Sequence, residues 1–540
     1  MWAHALLAGA LVSVGAAACN GCHTNEARQV TGPPAVAEPA PTLRVYFLSD
    51  LAGAIEPCGC VKDQLGGLDH AAAWIDGERG AAPSSLLVTA GPTFFMDPLL
   101  EKDHRSQDVA KAEALASSLQ HLGFSGWAPS TNDWADGAPE LAKLAQLSGA
   151  PDLLANVAHI PEHAGVPLVP MRIVAVNTLR VALIGVGMPP SDAATPGVSP
   201  PLPPSAEAVR ASSEAARKEG ANLVIVLASV GRGEAKRIAD AVPDLTAIIV
   251  GAPSGRGDGN TPSPPAERVG NVLIAETANH LQAVGAIDFF VRDGSYVFAD
   301  ATGLGQAQKR AELTRRIDDL HNRIANWERD KNIPQGDLDA RRADLAKLEA
   351  ERTRLDVTPA PAQGSYLRYT LKEVRDSLGQ DAAVKSALGS YYRLVNENNR
   401  VQLAGRIPPE AAPGQPSYLG VDACAACHKS EKIFWEKTKH ANAYASLSTQ
   451  SKEFNLDCVS CHVTGYGKAG GSTVTHVDTL KDVQCEVCHG PGSLHAADPK
   501  RAPLPAPNAD LCVGCHHPPH VEGFDAVAKM ALVIGPGHGR

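Results

Sequence analysis

No cluster of basic residues appears in this 540-residue chain, and its 49 Lys and Arg are outnumbered by 59 Asp and Glu, for a formal net charge of −10. That excludes a nucleic-acid surface, which needs concentrated positive charge. Past the N-terminus no apolar run is long enough for a transmembrane helix, so the expected mature chain is soluble or lipid-tethered. Cysteine is scarce outside one region. Of 12 cysteines, only Cys19, Cys22, Cys58 and Cys60 lie before residue 420. The length exceeds what one ordinary core organises, so two or three domains are expected.

The remaining eight cysteines form four copies of one pattern: Cys424-Ala-Ala-Cys427-His428, Cys458-Val-Ser-Cys461-His462, Cys485-Glu-Val-Cys488-His489 and Cys512-Val-Gly-Cys515-His516. Two thiols at this spacing add to the vinyl groups of haem, and the adjoining imidazole, here His428, His462, His489 or His516, ligates the iron from the proximal side. Structural zinc is the competing reading, since paired CxxC motifs also make tetrahedral thiolate sites. Zinc gives no reason for a His directly after every second Cys. The pattern therefore predicts four covalently bound haem c groups.

Thioether attachment happens outside the cytoplasm, so an export signal is expected, with the protein on the periplasmic or outer-surface side. Residues 1–18 supply a candidate: an apolar run ending Gly15-Ala16-Ala17-Ala18, although without Lys or Arg before it. Small residues before Cys19 resemble a lipoprotein signal and make Cys19 a candidate for acylation and membrane contact. Simple cleavage is the alternative. Cys19-Asn-Gly-Cys22-His23 is also a fifth haem-type match, and one Cys cannot carry both lipid and haem. Residues 19–41 read as a Pro/Ala-rich linker.

Apolar runs at 43–49, 85–90, 152–157, 181–186, 222–228, 245–251, 272–276 and 284–291 read as strands, with helical stretches such as 110–122 and 205–219 between them. The alternation predicts an α/β domain over 42–300. From 305 the texture changes. Leu313, Ile317, Leu320 and Ile324, then Leu338, Leu345, Leu348 and Leu355, mark an antiparallel helical hairpin around Pro334 and Gly336, with Asp337 as N-cap. A connecting helix over 381–399 completes the 305–400 segment. Residues 416–540 are expected to be mostly helical or irregular, because haems replace side chains as the core.

Beyond the proximal four, this last segment holds His440, His476, His495, His517, His520 and His538. Bis-His ligation of four haems needs only four. His440 and His495 look placed as distal ligands, His538, His520 and His476 are further candidates, and His517 is the weakest because it adjoins a proximal ligand. A haem lacking a distal His is an open iron. Phe434-Trp435, Lys439-His440-Ala441, Cys458-Val-Ser-Cys-His-Val-Thr-Gly465, Val483-Gln-Cys-Glu-Val-Cys-His-Gly-Pro-Gly492 and Leu511-Cys-Val-Gly-Cys-His516 resemble the cytochrome c-554 family of multihaem cytochromes. The resemblance implies electron transfer with redox partner proteins, and in some relatives nitrogen-oxide metabolism.

Residues 42–300 resemble the 5′-nucleotidase-type (UshA-like) metallophosphatases, which implies an αββα sandwich. That family builds a two-metal site from Asp-x-His, Gly-Asp, Gly-Asn-His, a lone His and Gly-His-x-His, and such a site needs nearly all of those ligands. At the matching positions this chain has Asp50-Leu-Ala52, Gly91-Pro92, Asn132-Asp133, Ser229 and Gly251-Ala-Pro-Ser254. Asp50, Asn132 and Asp133 are the residual candidates, too few for two divalent ions, so the resemblance implies a fold kept and a hydrolase lost. Glu56-Pro57-Cys58-Gly59-Cys60 follows Asp50 closely. The Cys58/Cys60 pair reads as a structural disulfide, a redox-active dithiol or a metal site. The leading expectation is an exported electron carrier; the alternatives are a haem oxidoreductase acting on a small nitrogen or sulfur species, and an active phosphoesterase.

Overall fold

The computed structural model describes residues 39–57, 64–156, 168–188, 206–255, 259–329, 333–356, 359–517, 520–521 and 523–535. Cys19, Cys22, Cys58, Cys60 and His538 lie outside them. Twelve strands build two six-stranded sheets. In chain order these are β1 (Leu43–Ser49), β2 (Ser85–Ala90), β3 (Phe124–Ala128), β4 (Met171–Val176), β5 (Leu179–Val186) and β6 (Leu223–Ser229). Then come β7 (Ala247–Gly251), β8 (Glu267–Val269), β9 (Val272–Ala275), β10 (Ala283–Phe290), β11 (Ala299–Asp300) and β12 (Tyr366–Glu373). One sheet runs β11-β12-β10-β1-β2-β3 and the other β4-β5-β6-β7-β9-β8.

The strand sequences explain the layering. In β1, Val45 and Phe47 enter the core between the sheets, while Tyr46 and Leu48 face an outer core. In β6, Leu223, Ile225 and Leu227 point inward, and Val224, Val226 and Ala228 outward. Strands buried on both faces read as unbroken apolar runs. Helices α1 (Leu68–Glu78), α2 (Arg105–His121) and α3 (Gly137–Ser148) cover the first sheet, and α4 (Ala206–Lys218) and α5 (Arg232–Ala241) the second. The result is an αββα sandwich.

Helices α6 (Ala307–Trp327) and α7 (Gln335–Asp356) form the expected hairpin. Leu313, Ile317, Ile324 and Leu338 are its buried seam. Because α7 begins at Gln335, Asp337 sits in its first turn rather than at the cap, where its charge still complements the helix dipole. The sheet continues beyond residue 300. β12 pairs antiparallel with β10 along its whole length. The hairpin is thus an excursion between neighbouring strands β11 and β12. Helix α8 (Ala382–Gln402) returns to the sandwich, with Val384, Leu388, Tyr391, Tyr392 and Val395 in the core over α1 and α2.

The C-terminal segment is made of short pieces: α9 (Val421–Ala425), α10 (Lys429–Trp435), α11 (Ala443–Ser448), α12 (Leu456–His462), α13 (Cys485–His489), α14 (Ser493–Ala497) and α15 (Ala526–Met530). Its own core is small, centred on Tyr444, Leu456, Val459, Val463, Val474 and Val477. Ile433, Leu494, Leu511, Val513, Val527 and Leu532 lie exposed. The sandwich and this segment form one compact unit from Pro41 onward.

Candidate functional site

The mouth of the sandwich lies where β1, β2, β3, β6 and β7 end. Asp50 leaves β1 with φ 49°, and its Oδ1 accepts the Ala252 N–H at 2.8 Å. Gly91 (φ 88°) permits this, because a Cβ there would fall 1.7 Å from the same oxygen. Burial pushes the Asp50 carboxyl up to about 7, against the Ala252 hydrogen bond. Ser229, where the resembled family has a metal-binding His, accepts the Gly91 N–H at 2.6 Å and donates to the Ala128 carbonyl at 2.5 Å. It is a staple between strands.

Asn132 is fully buried, and its amide oxygen accepts from Ser254 Oγ and Gly255 N–H, each at 3.1 Å. Its Nδ2 donates to Met96 O at 2.6 Å and Gly255 O at 3.0 Å. Asp133 Oδ1 accepts the N–H groups of Thr93 (2.9 Å) and Phe94 (2.8 Å), while Oδ2 accepts Ser130 N–H (2.8 Å) in a capping box. Burial nevertheless holds this carboxyl up, at about 6. Both atoms that would ligate a metal are committed to loop backbone. Among the described residues, only Asp76, His121 and Asp381 form a group of three or more His, Cys, Asp or Glu close enough to share an ion, and they lie away from the mouth.

The same criterion tests zinc at the cysteine motifs. All twelve motif Cys and His ligands are described, yet no three converge. The eight thiols are free. Cys424 hydrogen-bonds Cys485, and Cys461 hydrogen-bonds Cys515, so thiols of the first and third motifs adjoin, as do those of the second and fourth.

The histidines are oriented by backbone. His462 Nδ1 lies 2.6 Å from Ala443 O, His489 Nδ1 3.2 Å from Pro505 O, and His495 Nδ1 3.0 Å from Ala502 O. A carbonyl only accepts, so each Nδ1 carries the proton and each Nε2 is left as the ligand atom. Two rings face two others. His428 and His495 have centroids 6.3 Å apart at 25°, and His440 and His516 are 6.2 Å apart at 42°. Imidazoles bonded to opposite sides of one metal at about 2.0 Å have centroids about 6.3 Å apart. The two ring separations match that distance. Burial lowers the proton affinity of His440 and His516, which favours the neutral, ligating form. His520 instead packs edge-on against His517 at 5.5 Å. His476 Nδ1 sits 3.1 Å from Thr475 Oγ1.

Two residues inside the third motif's surroundings were not singled out from sequence. Glu486, 3 % exposed, accepts the N–H groups of Leu419, Gly420 and Gly492 at 2.8–3.0 Å. Gln484 Oε1 accepts Val421 N–H at 2.6 Å. Together they pin the start of the first motif to the third. The only signal was a polar pair beside Cys485, which no periodicity separates from a surface residue.

A second junction ties this segment to the sandwich. Asp457 bonds Lys111 of α2 at 3.2 Å and lies 3.7 Å from His104. Gln107 Oε1 accepts from Leu456 N–H and Asn399 Nδ2. Lys452 bonds Glu56 at 2.5 Å and stands 4.3 Å above the Tyr392 ring. Arg406 pairs with Asp103.

The chain thus combines an αββα sandwich, whose mouth residues Asp50, Asn132, Asp133 and Ser229 are engaged by backbone and hydroxyl contacts, with a segment that carries four Cys-x-x-Cys-His motifs. Residues 423–490 match the family model described as cytochrome c554 and c-prime. Cytochrome c-554 of Nitrosomonas europaea is 34% identical over 101 residues, covering 16% of this chain and 43% of that protein. The chain therefore spans less than half the length of this curated relative, and what the comparisons show is a similarity to the cytochrome c554 family within residues 423–490. Among solved structures, a 5′-nucleotidase precursor from Thermus thermophilus aligns with TM-score 0.44 and 14% identity over 81% of this chain and 73% of that one. SoxB sulfate thiohydrolase of Thermus thermophilus gives 0.39 and 16% over 48% and 55%. The phosphoesterase YfkN from Bacillus subtilis gives 0.38 and 18% over 47% and 86%. These scores stay below 0.5, and the strand order itself defines the sandwich. Among the described residues no helix is long and apolar enough to cross a membrane.

Proposed function

We propose that this chain is an exported multihaem c-type cytochrome that passes electrons between redox partner proteins. The observation that carries the reading is the pair of facing imidazole rings at 6.2 and 6.3 Å, each uniting a motif histidine with a distant one. The haems supply one-electron chemistry. The eight motif thiols would attach them, and His428, His462, His489 and His516 would hold the irons, with Nδ1 of His462 and His489 turned to backbone carbonyls. His495 is assigned opposite His428, and His440 opposite His516. His476, His520 and His538 remain candidates for the other two irons. Electron paramagnetic resonance of the oxidised protein tests this: at least two low-spin bis-imidazole signals are expected, and a spectrum without them overturns it.

A second reading concerns the iron at the second motif. Neither of the two facing imidazole pairs includes His462. An open position there makes the protein an oxidoreductase for a small nitrogen or sulfur species. One high-spin signal that shifts on adding nitrite, hydroxylamine or nitric oxide supports it; four low-spin haems overturn it.

The Cys58/Cys60 pair belongs to the same proposal as a redox dithiol. Glu56, two residues earlier in sequence, contacts Lys452 beside the second motif. Unchanged electron exchange with partners in a Cys58→Ser/Cys60→Ser variant refutes that role. Export, with lipid at Cys19, simple cleavage or a fifth haem at Cys19/Cys22, rests on the sequence features alone.

A further inference from the structure

The sandwich has lost its hydrolase mouth, yet it does not merely trail the cytochrome segment. It contacts that segment at one place above all, the start of α12, which carries Cys458, Cys461 and His462. Four charges gather there from both parts of the chain. Glu56 comes from the loop after β1 and Lys111 from α2. Lys452 comes from the turn before α12 and Asp457 from its first turn, with His104 3.7 Å from Asp457 and Asp108 3.7 Å from Lys111 alongside. They form two ion pairs, Glu56–Lys452 at 2.5 Å and Lys111–Asp457 at 3.2 Å. Lys452 is only 8 % exposed and has an aromatic face, Tyr392 of α8, beneath it. The polar residues between the pairs are buried and mutually bonded: Gln107 and Asn399 are 1 % and 4 % exposed, and Gln107 also accepts the Leu456 N–H. Such a junction fixes where each charge sits.

All four charges act on one attachment thiol. Cys458 is pushed up to about 12, chiefly by burial, with Asp457 and Glu56 adding to the rise and Lys452 and Lys111 opposing it.

We propose that the sandwich is the electrostatic wall of the second haem, with Glu56 and Lys452 as positioning residues that set the redox potential of that haem alone. The inference rests on the haem reading above and adds a task for the sandwich. A haem's potential responds to charge and burial around it. A fixed negative charge stabilises the ferric state and lowers the potential; a fixed positive charge raises it. In a low-dielectric junction these effects are larger than in water. A paired Glu56 and Lys452 therefore nearly cancel, and removing either one exposes the other.

The test is a spectroelectrochemical titration of the full haem-loaded chain and its Glu56→Gln, Lys452→Gln and Asp457→Asn variants, with haem number checked by intact mass. One of the four midpoint potentials is expected to rise in Glu56→Gln and in Asp457→Asn, and to fall in Lys452→Gln. The other three stay in place. The Glu56→Gln/Lys452→Gln double variant returns toward the parent value. A role in packing alone shifts no potential with opposite signs. Asp457 is substantially exposed, so its variant keeps the test intact even if Lys452→Gln fails to fold. Four haems with potentials unmoved, moved together, or moved in the same direction by both charge types overturn the inference alone. Fewer than four haems in the parent chain overturns the haem reading and this inference with it.

Discussion

Replacing Asp50 with Asn separates a closed mouth from a working metal site. In the closed mouth Asp50 is buried against Ala252, and its carboxyl titrates at about 7 instead of 3.8. The raised value fixes the sign. Between pH 4 and 7 the unfolded chain gives up this proton while the folded chain keeps it, so stability falls as pH rises through that window. At 1.36 kcal/mol per pH unit the difference amounts to about 4 kcal/mol at pH 8 as an upper bound. Partial solvent access at the mouth reduces it to about 2 kcal/mol. Asn keeps an oxygen for the Ala252 N–H and carries no charge. Asp50→Asn is therefore expected to stabilise the protein by about 2 kcal/mol at pH 8 and to have little effect at pH 4. Urea unfolding at both pH values measures it. The opposite result, a variant destabilised at pH 8 whose parent gains stability and phosphoesterase turnover with Mn²⁺, refutes the closed mouth, because a bound cation holds Asp50 ionised.

Further predictions concern the haem segment. His495→Ala and His440→Ala are each expected to convert one low-spin haem to high spin, and the double variant two; resonance Raman or paramagnetic resonance reads the count. Glu486→Ala strands the N–H groups of Leu419, Gly420 and Gly492. At about 1–3 kcal/mol for each of three orphaned groups, a loss of about 3–9 kcal/mol is expected, seen as earlier thermal loss of the haem-segment signal. Gly91→Ala forces a side chain onto Asp50 in a left-handed backbone position and is expected to lower stability by at least about 2 kcal/mol, measured by denaturant midpoint.

The most legible parts of the chain were those whose physics is local. Strands β1, β2, β6 and β7 are apolar on both faces because two cores press on them, and unbroken runs reveal that. Five-residue β3 is broken by Ser125 and Gly126, and edge strand β4 has an apolar run (Ile173–Val176) that is only partly buried; neither was anticipated. Of residues 152–157, expected as a strand, those described (152–156) show isolated bridges at Asp152 and Leu153. β12 went unseen because its partner β10 lies across the whole hairpin, a pairing no local pattern encodes. At the site, the Cys-x-x-Cys-His spacing is itself the chemistry, so attachment and proximal residues could be named directly. Choosing His440 and His495 from six further histidines drew on the segments around them, but which proximal ring each faces depends on the fold. The ligand-poor mouth was legible as substitutions at the motif positions; the hydrogen bonds that Ser229 and Asn132 make there were not.

The central claim is covalent haem, and the intact mass of the chain matured in a cytochrome-c-assembling host tests it most directly. The account predicts a mass gain of four haems on the eight cysteines from Cys424 to Cys515. A chain carrying no covalent haem, with zinc bound in stoichiometric amount at those cysteines, contradicts it.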